Sequence, residues 1–508
     1  MDIQYEHIGT LCTTDYKGER CLLAMEPINY AIDSMSSNSM KSSNPHSGIH
    51  KENYVKTIDT NGNNPACNQG GNMIVYALSS PCKGESGGLT YMPMKLRVRK
   101  ITERECLRLM GLPDDWFDGA DLPKTRQYQI IGNGLVTGKD SYFWYMWQNI
   151  YKLLNKKRPT VFSQFSGTGM TEYITDELGF FTVYASEIDE SANKAHANLQ
   201  RKGILDRRTR NLGDITKVSG YKIRPCDVIF SSSPCQSFSH AGKGEGEDGE
   251  SGLIWETIRT AREMLEATNG RYPSVIATEN VAGELSHKHF LTKFLIALDR
   301  MGYAIDIQLH NALDYNVAQS RERVAIVAIK KELVDGNSFE EHRHNRVQRV
   351  LKKTNADIQL FSGIATFPHE PKKSNLIDFI DDNVDEEYDL SERACMGILR
   401  RAYQREKEIP AILAYALMVQ SGDLYYESEY DSKHGKVDGN KLREWYADII
   451  DKGFEKVELP VCLENHGTDS RIKIKENETP TVTSRWGTGG NNMALVLDVI
   501  NDTGGGIT

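Results

Sequence analysis

The stretch Thr160-Val-Phe-Ser-Gln-Phe-Ser-Gly-Thr-Gly169 decides the fold of this chain. Its first six residues predict an apolar β-strand, and Gly167-Thr-Gly169 predicts a turn into a helix. A second apolar strand, Phe181-Thr-Val-Tyr-Ala185, follows and is closed by the acid Glu187. This order is typical of a nucleotide-binding unit, in which glycines let a ligand approach the backbone and the acid binds ribose hydroxyls.

The pattern of strand and helix continues beyond this unit. Apolar runs predict strands at residues 227–230, 274–277 and 323–329, and amphipathic stretches predict helices at 254–267 and 287–301. Strands that alternate with helices predict a parallel sheet with crossover helices. The third glycine of the dinucleotide pattern is missing, because Thr171 and Glu172 follow Met170. We therefore expect an adenosine ligand without a pyrophosphate, such as S-adenosylmethionine.

Composition places limits on the class of protein. The chain has 508 residues, a net charge of −9 and nine cysteines without CxxC pairs, and its mean hydropathy is −0.50. No disulfide framework or metal site is indicated, and a reducing compartment is expected. The first residues have no apolar signal core, and no run approaches membrane length. We expect a cytoplasmic protein of a bacterial or phage-infected cell.

Three polar motifs follow predicted strands. Pro234-Cys-Gln236 comes directly after the strand at residues 227–230, and a serine- and glycine-rich loop follows it. Glu279 ends the next strand. Arg321 and Arg323 stand two apart at the start of another, so their side chains are expected to point the same way. Any one of them could be structural, and a lone cysteine is most often buried. Together, at the carboxyl ends of neighbouring strands, they predict a reactive thiol beside an acid and two guanidinium groups.

In this order and approximate spacing, the motifs resemble those of the DNA cytosine-5 methyltransferases, most of all phage-borne and bacterial members. The matching residues are Phe165-x-Gly-x-Gly169, Glu187, Asp214, Pro234-Cys-Gln236, Glu279-Asn-Val281 and Gln319-x-Arg321-x-Arg323. The resemblance implies an α/β fold, a Rossmann-like S-adenosylmethionine-dependent methyltransferase domain with a smaller, irregular β-rich target-recognition domain.

The resemblance also implies a role for each residue. Cys235 would attack carbon 6 of a cytosine flipped out of duplex DNA, and Glu279 would hold ring nitrogen 3 and the amino group. Arg323, together with Arg321, would hold the carbonyl oxygen of the base and a phosphate. Contacts to S-adenosylmethionine are expected from Phe165, Ser166, Gly167, Thr168, Gly169, Glu187, Ile188, Asp214, Ile215, Pro234, Leu253 and Asn133.

Two further motifs of the family stand before the first one in this chain. Residues 99–113 resemble the ninth motif and residues 128–136 the tenth, and neither recurs after residue 330. We interpret this order as circular permutation, since a fusion with the remnant of an upstream methyltransferase predicts second copies of both. The predicted parts are 1–92 (second part of the target-recognition domain), 93–158 (ninth and tenth motifs), 159–334 (catalytic core) and 335–508 (first part of the target-recognition domain).

Departures from the family pattern and alternative functions complete the prediction. Ile130 stands where the tenth motif usually has Gln, and the Arg usual just before Leu253 is missing. An RNA cytosine-5 methyltransferase is the nearest alternative, followed by a catalytically silent DNA-binding regulator and an NAD-dependent dehydrogenase. The large recognition region favours duplex DNA, because it must enter a groove to read base edges. We expect a monomer that binds double-stranded DNA, with or without a companion restriction endonuclease.

Overall fold

The computed structural model describes residues 27–34, 38–42, 44, 47–60, 64–66, 70–78, 95–234, 250–334, 344–354, 358–365, 374–381, 384–422, 439–454, 461–466, 471–476 and 494–496. The chain divides into two compact units, Met1–Leu390 and Ser391–Thr508. Among the described residues, no helix is long and apolar enough to cross a membrane.

The larger unit begins with an antiparallel sheet. Its strands are β1 (Ile28–Ile32), β2 (Ile49–Lys51), β4 (Gly71–Leu78) and β5 (Lys95–Arg99), and the short strand β3 (Val55–Lys56) lies outside this sheet. The strand order in the sheet is β2-β1-β4-β5. Tyr30, Ile32, Met73 and Val75 are buried within it. The β-rich character predicted for the first 92 residues is confirmed in their described part.

Three helices follow β5. They are α1 (Glu103–Leu109), α2 (Lys124–Asn133) and α3 (Tyr142–Leu154). A capping box begins α1, in which the Thr102 hydroxyl accepts a hydrogen bond from the Glu105 amide and the Glu105 carboxylate accepts one from the Thr102 amide. The same carboxylate forms a buried two-pronged ion pair with Arg99, with N–O distances of 2.8 and 2.9 Å. These contacts join the end of β5 to the start of α1.

A seven-stranded sheet forms the centre of the larger unit. In chain order its elements are β6 (Thr160–Gln164), α4 (Met170–Glu177), β7 (Phe181–Ser186), α5 (Glu190–Lys202), β8 (Arg210–Asn211), β9 (Val228–Ser231), α6 (Trp255–Ala267), β10 (Val275–Val281), α7 (Lys288–Arg300), β11 (Tyr303–Asn311), the short β12 (Gln319–Ser320), which pairs with β3, and β13 (Glu322–Lys330). The five strands and two helices that the sequence predicts in this region are confirmed. β11 was not predicted.

The order of the strands positions the candidate site. It is β11-β13-β10-β9-β6-β7-β8. Strands β8, β7, β6, β9 and β10 are parallel, whereas β13 is antiparallel to β10 and β11. The direction in which the chain adds strands reverses between β6 and β9. In open α/β sheets a ligand crevice forms at the carboxyl ends of the strands beside such a reversal.

Each face of this sheet carries its own hydrophobic cluster. Val161 and Phe230 belong to one cluster and Phe162 and Ile229 to the other, because successive side chains of a strand point to opposite faces. On the first face, the ring of Trp147 in α3 lies 5.6 Å from the ring of Phe230. Helix α3 is therefore part of the core of the sheet, although it precedes β6 in the chain.

The chain continues to pack on this sheet after β13. Helix α8 (Asn345–Thr354) buries Val347 and Val350 in the second cluster. Beyond it, residues 358–365 run beside β11, where the Ile305 amide donates to the Gln359 carbonyl. The buried Asp306 carboxylate accepts hydrogen bonds from three successive amides, residues 363–365, at 2.8 to 3.1 Å. These residues cover the edge strand of the sheet.

The smaller unit differs from the prediction. Residues 335–508 were expected to be β-rich, but their described part is chiefly helical, with α8 in the larger unit and α9 (Glu392–Gln404), α10 (Ala411–Ser421) and α11 (Gly439–Phe454) in the smaller one. Strands β14 (Val461–His466), β15 (Arg471–Glu476) and β16 (Ala494–Val496) form one antiparallel sheet. α10 consists mostly of Ala, Leu, Met and other apolar residues, and the high helix propensity of these three explains the difference.

Candidate active site

The ends of β6 and β9 meet at the predicted crevice. The Ser232 hydroxyl donates to the Phe165 carbonyl at 3.1 Å, which joins the residues that follow the two strands. Behind them, the Thr257 hydroxyl of α6 lies 2.8 Å from Gln164 Oε1 and 2.9 Å from the Ser231 hydroxyl. This buried polar contact fixes α6 against both strand ends. The sequence did not point to it, because hydroxyl and amide side chains are also common on surfaces.

The description of the chain after β9 stops at Pro234, which is half-buried. Cys235, the predicted nucleophile, lies outside the described residues, as does most of the loop that follows it. Leu253 is also half-buried, in the short 3-10 helix Glu250–Ile254 that leads into α6.

The glycine turn after β6 has an unusual backbone. Phe165, Gly167 and Gly169 all have positive φ, at 56°, 58° and 92°, a region that disfavours side chains with a Cβ atom. A Cβ on Gly167 would meet no atom within 4 Å, so this glycine borders open space. A Cβ on Gly169 would lie 2.5 Å from Leu205 and 2.8 Å from His196. One glycine leaves room for a ligand and the other lets α4 and α5 pack closely.

The acid Glu187 joins this turn to the end of β7. Its Oε2 accepts a hydrogen bond from the Gly167 amide at 2.9 Å, and its Oε1 accepts one from the Asp189 amide at 2.7 Å. Each carboxylate oxygen keeps a further lone pair for another donor. The next residue, Ile188, is 70% exposed. The exposed apolar side chain is suited to pack on a flat ring, and the oriented acid beside it is suited to accept a hydrogen bond from a sugar hydroxyl.

Asp214 lies at the end of β8, beside these residues. Its Oδ1 accepts from the Thr216 hydroxyl at 2.7 Å and the Thr216 amide at 3.0 Å. The hydrogen bond from the hydroxyl, and to a lesser degree the one from the amide, lowers the pKa of this carboxyl below its usual value. Asp214 is half-buried, whereas the neighbouring Ile215 is buried. The carboxylate is thus ionised and available at the same edge of the sheet as Glu187.

The remaining predicted cofactor residues occupy different environments. Asn133 is exposed at the end of α2, and Ser166 is buried. The Thr168 hydroxyl accepts a hydrogen bond from the buried Trp116 indole at 3.1 Å. Thr168 therefore anchors the segment that carries the ninth motif to the glycine turn. Trp116 is a residue that the sequence analysis missed, because its partner lies 52 positions away.

The predicted acid and one arginine come together at the ends of β10 and β13. Glu279 is 6% exposed, and its Oε1 lies 3.1 Å from Arg323 Nε. The same oxygen accepts a hydrogen bond from the Tyr142 hydroxyl of α3 at 3.1 Å. A buried carboxylate whose one oxygen accepts a hydrogen bond and also faces a guanidinium group has a fixed orientation.

The second arginine faces a different set of atoms. Arg321 is 1% exposed, and its guanidinium donates to the backbone carbonyls of Ile58, Gly132 and Gly134, the last at 2.6 Å. Both arginines were expected to point the same way, because they stand two apart on one predicted strand. This expectation is corrected, since Arg321 lies between β12 and β13, where strand alternation does not apply. Arg321 holds the end of α2, which carries Asn133, against the residues after β3.

A second carboxyl is buried beside Glu279. Glu284 belongs to the 3-10 helix Ala282–Ser286, which follows β10, and it is fully buried. Neither of its carboxyl oxygens has a hydrogen-bond partner within the described part of the chain. Burial, and to a lesser degree the charge of Glu279, raises the pKa of Glu284 to about 8. Glu284 is therefore mostly protonated at neutral pH, and no motif in the sequence indicated it.

The strand order, the glycine turn and the acids at the ends of β7 and β8 define a Rossmann-like S-adenosylmethionine-dependent methyltransferase. The residues present fit the cofactor. Glu187 offers acceptors for ribose hydroxyls, Ile188 an apolar surface for adenine, and Gly167 an open backbone. Within the described residues, no group of three His, Cys, Asp or Glu side chains could hold a metal ion.

Comparison with known proteins names the family. The sequence profile described as C-5 cytosine-specific DNA methylase matches residues 7–138 and 159–485. The chain belongs to this family of DNA cytosine-5 methyltransferases, and its cofactor is S-adenosylmethionine. The match comprises most of the sequence and leaves out residues 139–158 between its two parts.

Phage proteins are among its relatives. The orphan methyltransferase M.Rho11sI of Bacillus phage rho11s is 26% identical over 364 residues, which cover 67% of this chain and 70% of the relative. The orphan methyltransferase M.SPRI of Bacillus phage SPR is 32% identical over 248 residues, covering 47% and 54%. Among solved structures, the Entamoeba histolytica methyltransferase EhMeth is 20% identical, with a TM-score of 0.33 and coverage of 47% of this chain and 65% of the other.

Proposed function

We propose that this protein transfers a methyl group from S-adenosylmethionine to carbon 5 of a flipped-out cytosine within a specific sequence of double-stranded DNA. The observation that carries the proposal is the buried Glu279–Arg323 pair at the same edge of the sheet as Glu187 and the glycine turn. An acid and a guanidinium group beside a cofactor site can hold a pyrimidine ring by its nitrogen and oxygen atoms.

We propose that the cofactor lies at the carboxyl ends of β6, β7 and β8 and supplies the methyl group. Glu187 would accept from the ribose hydroxyls, Ile188 would pack on adenine, and Asp214 would contact its polar edge. The full set of proposed cofactor residues is Phe165, Ser166, Gly167, Thr168, Gly169, Glu187, Ile188, Asp214, Ile215, Pro234, Leu253 and Asn133. Thr168 and Ile215 would contribute through the backbone that they position, because their side chains are buried.

The proposed chemistry begins when the Cys235 thiolate adds to carbon 6 of the cytosine. The electron pair of the 5,6 double bond shifts toward carbon 5 while Glu279 gives a proton to ring nitrogen 3. Carbon 5 then takes the methyl group, and S-adenosylhomocysteine is left. A base removes the carbon-5 proton, the double bond re-forms, nitrogen 3 returns its proton to Glu279 and the thiolate leaves. Arg323 would hold the carbonyl oxygen of the base throughout.

The test is methyl transfer by the purified protein to duplex DNA and to transfer RNA, followed by bisulfite sequencing of the DNA. We expect 5-methylcytosine at one recurring DNA sequence and no transfer to RNA. A duplex with 5-fluorocytosine at that site should trap a covalent adduct, because fluorine cannot leave as a cation. Cys235→Ser should abolish transfer and trapping, while Cys226→Ala, a buried cysteine of the second cluster, serves as the control. Wild-type rates from Cys235→Ser, or methylation of RNA alone, would contradict the proposal.

We also propose that the order of the parts reflects circular permutation. Helix α3 ends at Asn155, which has a left-handed backbone, and β6 begins at Thr160, so a short connection joins two elements of one core. Exposed connections between neighbouring elements tolerate new chain ends. A chain that starts at Pro159 and carries residues 1–155 after residue 508, through a flexible linker, should fold and methylate the same sequence. The four-part division at residues 92, 158 and 334 remains a prediction.

A further inference from the structure

A buried tyrosine from α3 contacts the acid of the candidate active site. Tyr142 is the first residue of α3, and the Ser141 hydroxyl caps the helix by accepting from the Trp144 amide. Tyr142 is 2% exposed, and its hydroxyl lies 3.1 Å from Glu279 Oε1. The contact joins the helix that follows the tenth motif to the end of β10. The two residues are 137 positions apart in the sequence.

The ring of Tyr142 is held in place by two aromatic side chains that also contact each other. It stacks on His310 of β11, with ring centroids 5.1 Å apart and planes at 8°, and Tyr315 meets it edge-on at 5.9 Å. The Tyr315 hydroxyl lies 2.7 Å from His310 Nδ1. Stacked and edge-on aromatic contacts of this kind limit how far a ring can shift or tilt. The Tyr142 hydroxyl is therefore fixed relative to Glu279.

The protonation states of this group make Tyr142 a permanent donor. Burial, reinforced by the charge of Glu279 and opposed by Arg323 and Arg321, raises the pKa of Tyr142 well above its usual value. Burial also lowers the pKa of His310 to about 4. A hydrogen bond to the Ala365 backbone acts in the opposite direction, and the charge of His344 lowers the pKa further. Near neutral pH the tyrosine keeps its proton and the histidine carries no charge.

The two oxygens of the Glu279 carboxyl are thereby made different. Oε1 accepts a hydrogen bond from the Tyr142 hydroxyl and lies 3.1 Å from the positively charged Arg323 guanidinium. Oε2 accepts no hydrogen bond from any residue that the structure describes. An oxygen that already accepts a hydrogen bond and faces a cation is a poor place for a proton, so a proton on this carboxyl belongs on Oε2.

We propose that Tyr142 is a positioning residue for the methyl-transfer reaction, which directs the Glu279 proton to Oε2 and toward ring nitrogen 3 of the cytosine. This inference rests on the proposed function. Tyr142 does not touch the base and acts through Glu279, whereas Arg323 contacts both Glu279 and, in the proposed reaction, the base.

The experiment compares the wild-type protein, Tyr142→Phe and Tyr145→Phe in methylation of the target duplex over a range of pH. Tyr142→Phe keeps the stacked ring and removes only the hydroxyl. Tyr145→Phe removes a hydroxyl from the same helix whose partner is the surface residue Asp140, and it is the matched control. Melting followed by circular dichroism reports folding independently of activity.

We expect Tyr142→Phe to lower kcat by about tenfold, the usual effect of one hydrogen bond to a charged group, with KM for DNA and the melting temperature little changed. The loss should fall on kcat and not on KM, because Tyr142 acts on Glu279 and does not touch the DNA. Tyr145→Phe should match the wild type. The other ionisable groups around the contact are present in all three proteins: Arg321, Arg323, Glu284 and His310.

A Tyr142→Phe protein with wild-type kcat and pH profile would refute this inference and leave the proposed function intact. A fall in kcat accompanied by an equal rise in KM for DNA, or by a lower melting temperature, would also refute it, since either would mark a structural defect. An inactive wild-type protein would instead refute the proposed function, together with the inference that rests on it.

Discussion

In the cofactor half of the site (Phe165 to Gly169, Glu187, Ile188 and Asp214), the acids are half-buried and Ile188 is exposed, and the acids accept hydrogen bonds chiefly from backbone amides. The catalytic half (Tyr142, Glu279, Glu284 and Arg323) is buried, and side chains from distant parts of the sequence orient its acid. Binding of a cofactor thus requires turns with room beside them, whereas control of a proton requires exclusion of water by several elements.

The largest effect should come from the acid of the catalytic half. Glu279→Gln keeps the shape of the side chain but removes the proton that the proposed reaction gives to the base. Acid–base catalysis contributes about 10²–10⁴-fold in rate, so we expect a loss of methylation of that order with affinity for S-adenosylmethionine unchanged. Single-turnover assays and calorimetry measure the two quantities. A variant that loses cofactor affinity to the same extent would show that the two halves are not independent.

A smaller and opposite effect is expected from the cofactor half. Glu187→Ala removes the acceptor proposed for the ribose and releases the Gly167 amide. A hydrogen bond to a charged group contributes about 1.5–3 kcal/mol, so the Kd for S-adenosylmethionine should rise about 10- to 100-fold. The rate at saturating cofactor should change much less. Isothermal titration gives the Kd, and Asp189→Asn, which alters a neighbouring cap without removing the acceptor, is the control.

The pH dependence of stability should identify the buried acid of the catalytic half. The pKa of Glu284 is raised from 4.5 to about 8, so its effect on stability is most favourable below the unfolded pKa and is lost as pH rises toward 8. From pH 6 to pH 8 this loss is about 2 kcal/mol by linkage. Glu284→Gln should remove that part of the decline in the free energy of unfolding, measured with urea at both pH values. An unaltered slope would mean that Glu284 ionises in the folded protein without cost.

Helix α4, which follows the glycine turn, carries a buried acid that can be compared with Glu284. Glu172 of α4 is also fully buried, and burial raises its pKa to about 8. Glu172→Gln should flatten the same pH dependence without altering the rate of methyl transfer. Only a variant of Glu284, which lies beside Glu279, should change both the pH dependence of the free energy of unfolding and the rate of methyl transfer.

Most of the central sheet could be predicted from the sequence because its strands are short apolar runs between glycines and acids. β11 was missed, since Asp306, Gln308 and His310 interrupt its apolar pattern. All three are buried, and Asp306 in particular is satisfied by the amides of residues 363–365. A polar residue that finds its partners far along the chain cannot be recognised as part of the core from its neighbours alone.

The smaller unit also shows what could not be predicted from neighbouring residues alone. Asn, Gly and Ser clusters interrupt its sequence, and a β-rich recognition domain was predicted there, yet α9, α10 and α11 dominate its described part. Helix α9 is capped by Ser391, whose hydroxyl accepts a hydrogen bond from the Ala394 amide. Turn residues show where an element ends, but they do not show whether the next element is a helix or a strand.

By itself the sequence determined the nucleotide-binding turn, the order of the strands along the chain and the identity of the motif residues, because each depends on amino acids within a few positions. The packing of distant segments, in contrast, determined that Arg323 and not Arg321 pairs with Glu279, that Tyr142 donates a hydrogen bond to it, and that Glu284 is buried beside them. Those choices depend on which buried polar atoms lie within hydrogen-bond distance across the fold. In a water-free interior a difference of one ångström decides whether such an atom is satisfied.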